Sequence, residues 1–92
     1  MYAIEVKEIR IKERLVINKV EIYTSNTCGF CHLAKEFFEE NNIEYIEHNI
    51  SENLEAKKAL IKKGYRSVPV IDINGQELVG FDKEKVVAIL GI

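Results

Sequence analysis

The chain has 92 residues, 47% of them hydrophobic and 30% charged, with a net charge of −2 at neutral pH. That length accommodates one domain, and that balance of apolar and charged residues excludes a disordered polypeptide. Basic and acidic residues are interspersed, and no run approaches the roughly 18 apolar residues of a membrane span, so neither nucleic acid nor a membrane is an expected partner.

Residues 1–18 interleave Glu5, Glu8 and Glu13 with Lys7, Arg10, Lys12 and Arg14, unlike a secretory signal, and a cytoplasmic location is expected. Tyr2, Ile4 and Val6 alternate with polar residues, Ile9 and Ile11 do so in the opposite phase, and Leu15–Ile17 run together. β-Branched residues favour strand. This segment reads as an extension that adds one or two strands at a sheet edge. The expected state is a monomer, or a weak dimer through this segment, with residues 19–92 forming the domain proper.

Val20–Tyr23 is a short buried strand ended by the polar run Thr24–Thr27. Leu33, Ala34, Phe37 and Phe38 then mark one face of a helix that ends near Asn41–Asn42. Glu44–Asn49 alternates around Tyr45 and Ile46 as a second strand. A second helix runs from about Ser51 or Glu52 to Lys63, with Ser51 as N-cap and Gly64 as its stop. Pro69 opens a third strand, Val70–Ile73, and Asn74–Gly75 is a type I′ hairpin signal leading into Glu77–Val79. Asp82 caps a last helix whose apolar face is Val86, Val87, Ile89 and Leu90, with Phe81 and Val86 at staple positions. The order β-α-β-α-β-β-α predicts a four-stranded mixed sheet flanked by three helices, an α/β fold whose first two strands are parallel.

Cys28 and Cys31 are the only cysteines, too few for a disulfide scaffold and therefore suited to reactivity or metal binding. Two thiols spaced by two residues at a helix start open and close a disulfide with little backbone movement. Free N–H groups and the helix dipole favour a thiolate at Cys28, while Cys31 lies a turn further in. Such pairs are often half of a zinc site, but here there is no second cysteine pair and only His32 and His48 remain as candidates. Cys28–His32 also spells the haem-attachment pattern, which normally accompanies export, and the sole methionine is Met1. No haem, no other cofactor and no metal ligand is therefore expected.

Thr24–Lys35 around Cys28-Gly-Phe-Cys31, then Ser67-Val68-Pro69, then Val79-Gly80-Phe81-Asp82, resembles the glutaredoxins. It is closest to the small bacterial and archaeal redoxins whose last helix follows Gly-Phe-Asp. The resemblance covers about residues 20–92. It implies a thioredoxin-like fold, a cis bond before Pro69, and a Val68 backbone beside the cysteines that pairs with an extended substrate. It also implies that Gly80, Phe81 and Asp82 form the floor of the groove and that Arg66, or Lys35, attracts an anion there. The activity implied is thiol–disulfide oxidoreduction, with Cys28 attacking protein or glutathione mixed disulfides and Cys31 resolving them. Many glutathione-using relatives have Cys-Pro-Tyr-Cys and a lysine where this chain has Ser25, so glutathione and a thioredoxin-reductase-type flavoprotein both stand as electron donors. Cys-Gly-Phe-Cys is one residue from the Cys-Gly-Phe-Ser of monothiol relatives. An iron–sulfur or zinc carrier on the same cysteines is the alternative.

Overall fold

The computed structural model describes residues 18–92, and the expected strands of the 1–18 extension lie outside the described residues apart from Asn18. Strand β1 (Val20–Thr24) leads into helix α1 (Gly29–Glu40), then β2 (Ile46–Asn49), α2 (Leu54–Lys62), β3 (Val70–Ile73), β4 (Gln76–Val79) and α3 (Lys83–Leu90). The sheet runs β2-β1-β3-β4, a thioredoxin-like arrangement. β1 and β2 are parallel, with Ile22 opposite Glu47, while β3 is antiparallel to β1 and to β4. The parallel pair follows from the long crossover through α1, and the β3–β4 pair from the tight Asn74–Gly75 turn. Both turn residues have positive φ, 54° and 92°, as a type I′ turn demands.

Alternation along β1 and β3 sends side chains to two separate cores. Val20, Ile22, Ile71 and Ile73 meet Ala34, Phe37 and Phe38 of α1 and Val86 and Leu90 of α3. Tyr23 and Val70 point the other way and meet Leu60 of α2. Phe81 packs against the first core, its ring 5.8 Å from that of Phe37. Asp82 caps α3 by accepting from Glu84 and Lys85 N–H groups at 3.1 and 3.3 Å, and Gly91 ends it at φ 74°.

Three sequence expectations are corrected. Leu33 is 50% exposed, because the buried stripe of α1 starts at Cys31 and continues through Ala34, Phe37 and Phe38. β2 starts at Ile46 rather than Glu44; Tyr45 instead lays its ring 5.6 Å from Phe38 and donates its hydroxyl to Glu39 at 2.7 Å. The N-cap of α2 is Asn53, whose side chain accepts from Ala56 N–H at 3.1 Å. Ser51 is committed elsewhere.

Candidate functional site

The cysteines sit where β1 hands over to α1. Cys28 occupies the N-cap position with extended backbone, φ −96° and ψ 107°. Its Sγ accepts the Cys31 N–H at 3.1 Å, which occupies one of the free donors of the first turn. Cys28 is half-buried and Cys31 is fully buried, its Sγ 4.0 Å from the Tyr23 carbonyl oxygen. The two form a disulfide across a Cα–Cα distance of 5.2 Å, within the span such a bridge requires.

A polar clamp holds the segment that precedes Cys28. The Asn26 N–H donates to Ser51 Oγ at 3.0 Å, the Asn49 side-chain amide donates to Asn26 Oδ1 at 2.8 Å, and Ser51 N–H donates to Asn49 Oδ1 at 2.8 Å. Ile50 N–H donates to the Thr24 carbonyl at 2.8 Å, stitching the end of β2 to the end of β1. Asn and Ser side chains bond nearby backbone in this way at turns. The Asn49-Ile-Ser51 pattern after a strand is the available signal for the clamp, hidden because Ser51 reads equally well as a helix cap.

Behind the cysteines, Thr24 is 1% exposed and donates its hydroxyl to Glu47 Oε2 at 2.6 Å. The same oxygen accepts from Lys35 Nζ at 3.0 Å. The Thr24 hydrogen bond, joined by the Lys35 ammonium, holds the Glu47 carboxyl below its ordinary value. The sequence does not single out Glu47, since an acidic residue in an edge strand carries no local signature. Lys35 is thereby tied to a carboxylate rather than aimed at a bound anion. His32 is exposed on α1, and His48 places Nε2 2.8 Å from Glu21 Oε1. Among the described residues no three His, Cys, Asp or Glu side chains are grouped to hold a metal ion.

The Val68–Pro69 peptide bond is cis. Pro69 is buried and Val68 half-buried, and the Pro69 carbonyl accepts from Gly80 N–H at 2.8 Å. This bond joins the start of β3 to the Gly80–Asp82 turn, where Gly80 has a φ of 86°. Asp82 is exposed and engaged as the α3 cap, and the Phe81 side chain is engaged with Phe37. Arg66 lies with Lys57 along a groove between α2 and the segment before Val68. Phe30 is 64% exposed beside the cysteines and, with Gly29 and Leu33, lines an open apolar hollow.

A family model for glutaredoxin matches residues 20–78. A glutaredoxin-like 8.6 kDa protein in the rubredoxin operon of Clostridium pasteurianum is 31% identical over 68 residues, covering 73% of this chain and 91% of that protein. Glutaredoxin 3 of Escherichia coli is 38% identical over 64 residues, covering 68% of this chain and 77% of its own. Among solved structures, the glutaredoxin-like protein NrdH-redoxin of Escherichia coli superposes with a TM-score of 0.69 at 28% identity. The match covers 76% of this chain and 92% of that one.

Proposed function

The chain belongs to the glutaredoxin family, with a thiol oxidoreductase fold and a Cys-x-x-Cys site, and we propose that Cys28 and Cys31 carry electrons to disulfides of protein substrates and to glutathione mixed disulfides. The observation that carries this reading is the asymmetry of the pair. Cys28 is reachable and its sulfur accepts the Cys31 N–H at 3.1 Å, whereas Cys31 is wholly buried. That hydrogen bond and the positive end of α1 favour the Cys28 thiolate, the nucleophile of exchange.

In the forward direction the Cys28 thiolate attacks one sulfur of the substrate. That S–S bond breaks, one substrate thiolate leaves and takes a proton from solvent, and Cys28 is joined to the other substrate sulfur. Cys31 then gives up its proton and attacks Cys28 Sγ, closing the Cys28–Cys31 bond and releasing the second thiol. Two electrons and two protons pass to the substrate. Val68 offers backbone to an extended substrate chain, Pro69 shapes that edge, Gly80, Phe81 and Asp82 form the adjoining turn, and Arg66 supplies a cation nearby.

The oxidised pair is re-reduced by glutathione or by a thioredoxin-reductase-type flavoprotein. Ser25 offers no charge-assisted contact to a glutathione carboxylate, which favours the flavoprotein. The NrdH-redoxin of Escherichia coli has a thioredoxin-like activity profile, and the likeness to it points the same way. The test reduces one protein disulfide with glutathione plus its reductase, and again with NADPH plus thioredoxin reductase. Cys28→Ser is expected to abolish turnover by both routes, and Cys31→Ser to trap mixed disulfide with protein substrates. Full activity of Cys28→Ser would refute the mechanism, and the faster route names the donor.

A further inference from the structure

We propose that the groove lined by Ile50, Lys57, Leu60, Ile61, Tyr65 and Arg66 is a side-chain pocket for the substrate polypeptide. It takes a branched aliphatic residue that has an acidic neighbour. The inference rests on the dithiol reading above and adds the sequence class that the site selects.

The position of the groove follows from topology. Because β1 and β2 are parallel and β3 is antiparallel to them, the ends of β1 and β2 and the start of β3 share one end of the sheet. Cys28 is four residues past the end of β1. Ile50 follows the last residue of β2 and bonds to the Thr24 carbonyl at 2.8 Å. Arg66 precedes Val68 by two residues, and Val68, Tyr65, Ile50 and Leu60 belong to one hydrophobic cluster. The groove therefore opens at the cysteine end of the sheet, on the side covered by α2. A chain extended along Val68 passes beside it.

The chemistry of the walls selects the occupant. Ile50, Leu60, Ile61 and Tyr65 enclose a cavity of about 340 Å³, and Ile61 is 56% exposed there, outside both cores. That volume lies at the small end of ligand pockets and is ample for one aliphatic side chain. Lys57 and Arg66 are exposed at the same groove, and neither is paired with an acidic side chain among the described residues. Two cations beside an apolar cavity fit an aliphatic side chain next to a carboxylate. Glutathione has carboxylates and no aliphatic side chain, so this pocket would favour protein disulfides over the tripeptide.

The test has a redox-independent arm and a turnover arm. In the first, the oxidised 92-residue chain is titrated with peptides bearing serine in place of cysteine, with a Leu-Glu pair moved stepwise along either side of that serine. Binding is followed by NMR. The best Leu-Glu peptide is expected to perturb Ile61 and Tyr65 and to bind about tenfold more tightly than its Ala-Gln counterpart, the lower end for moving a leucine side chain out of water. Ile61→Ser and Lys57→Glu, both at exposed positions and checked for fold by circular dichroism, should bring that ratio towards one. In the second arm the same peptides, as mixed disulfides, should differ by a similar factor in kcat/KM, mainly through KM. Equal binding, perturbation elsewhere, or a dimer that Ile61→Ser dissociates would overturn the proposal. Selective binding without turnover of any peptide would uphold the pocket and refute the dithiol reading.

Discussion

The sheet face under α1 and α3 closes over Val20, Ile22, Ala34, Phe38, Ile71, Ile73 and Val86, whereas the face under α2 buries Tyr23, Leu60 and Val70 as its core among the described residues. On that second face the register sets Glu21 opposite Asp72 and Asp72 opposite Glu77, three carboxylates on adjacent strands. Like charges so placed repel, and each has its own compensation. Glu21 meets His48 at 2.8 Å and Lys19 at 3.7 Å. Asp72 accepts the Gly75 N–H at 2.9 Å. Glu77 accepts from Lys63 at 2.9 Å and Tyr65 at 2.8 Å. Two helices seal one face and set the cysteines, while a single helix leaves the other open enough to hold a groove. The contrast separates the face that holds the domain together from the face that stays more open to solvent.

The largest effect should come from the sealed face. Phe38 is fully buried, and Phe38→Ala should cost about 3–5 kcal/mol, enough to unfold a marginal domain at room temperature. Leu60→Ala, at a position 2% exposed in the smaller core, should cost about 2–3 kcal/mol because the open side lets the site relax. Urea titrations of both variants check this. Equal losses would mean that the two faces contribute alike and that the contrast is one of shape alone.

How far the sequence can be read differs between these faces for the same physical reason. Core residues announce themselves by period, so Val70–Ile73, the Asn74–Gly75 turn and the Asp82 cap are all legible. The corrections fall where a residue has two uses or an unexpected neighbour. Ser51 can cap a helix or hold Asn26, and the second depends on the distance between chain segments rather than on neighbours in sequence. Leu33 reads as core because the stripe of α1 begins with Cys31, which hydrophobic periodicity does not score as an anchor. Of the site, Cys28, Cys31 and Pro69 are legible as motifs. Glu47 and the Lys57–Arg66 groove are not, since each exists only once β2 and α2 are folded against distant residues.

A middle-sized effect tests the Thr24–Glu47–Lys35 network of the sealed face. Glu47→Ala removes the acceptor of the buried Thr24 hydroxyl and of Lys35, and an unsatisfied buried hydroxyl costs about 1–3 kcal/mol. Thr24→Val should recover part of that loss in the Glu47→Ala background, because the orphaned donor is then gone. A double variant no more stable than Glu47→Ala would show that the loss comes from Lys35 instead. Thermal unfolding of the three proteins decides it.

The smallest effect lies on the open face and is read through pH. The His48 hydrogen bond is the main cause that holds the Glu21 carboxyl below its ordinary value, with Lys19 adding to it. A carboxyl depressed in the folded state binds its proton more readily when unfolded. Its contribution is therefore full above the ordinary carboxyl range and is lost as pH falls through the lowered folded value. Glu47, depressed by Thr24 and Lys35, follows the same sign on the sealed face. The Glu21 and Glu47 side chains are similarly exposed, 27% and 30%, but Glu21 pairs with the partly exposed His48 and Lys19 whereas Glu47 accepts from the buried Thr24 hydroxyl. The Glu21 share should stay below about 1 kcal/mol, a few degrees in Tm for a domain of this size. Glu21→Gln should therefore flatten the acid limb of a Tm-against-pH curve slightly, and Glu47→Gln more. If Glu21→Gln flattens it as much as Glu47→Gln does, the open face carries as much of the electrostatic stability as the sealed one, and the division of labour between the faces fails.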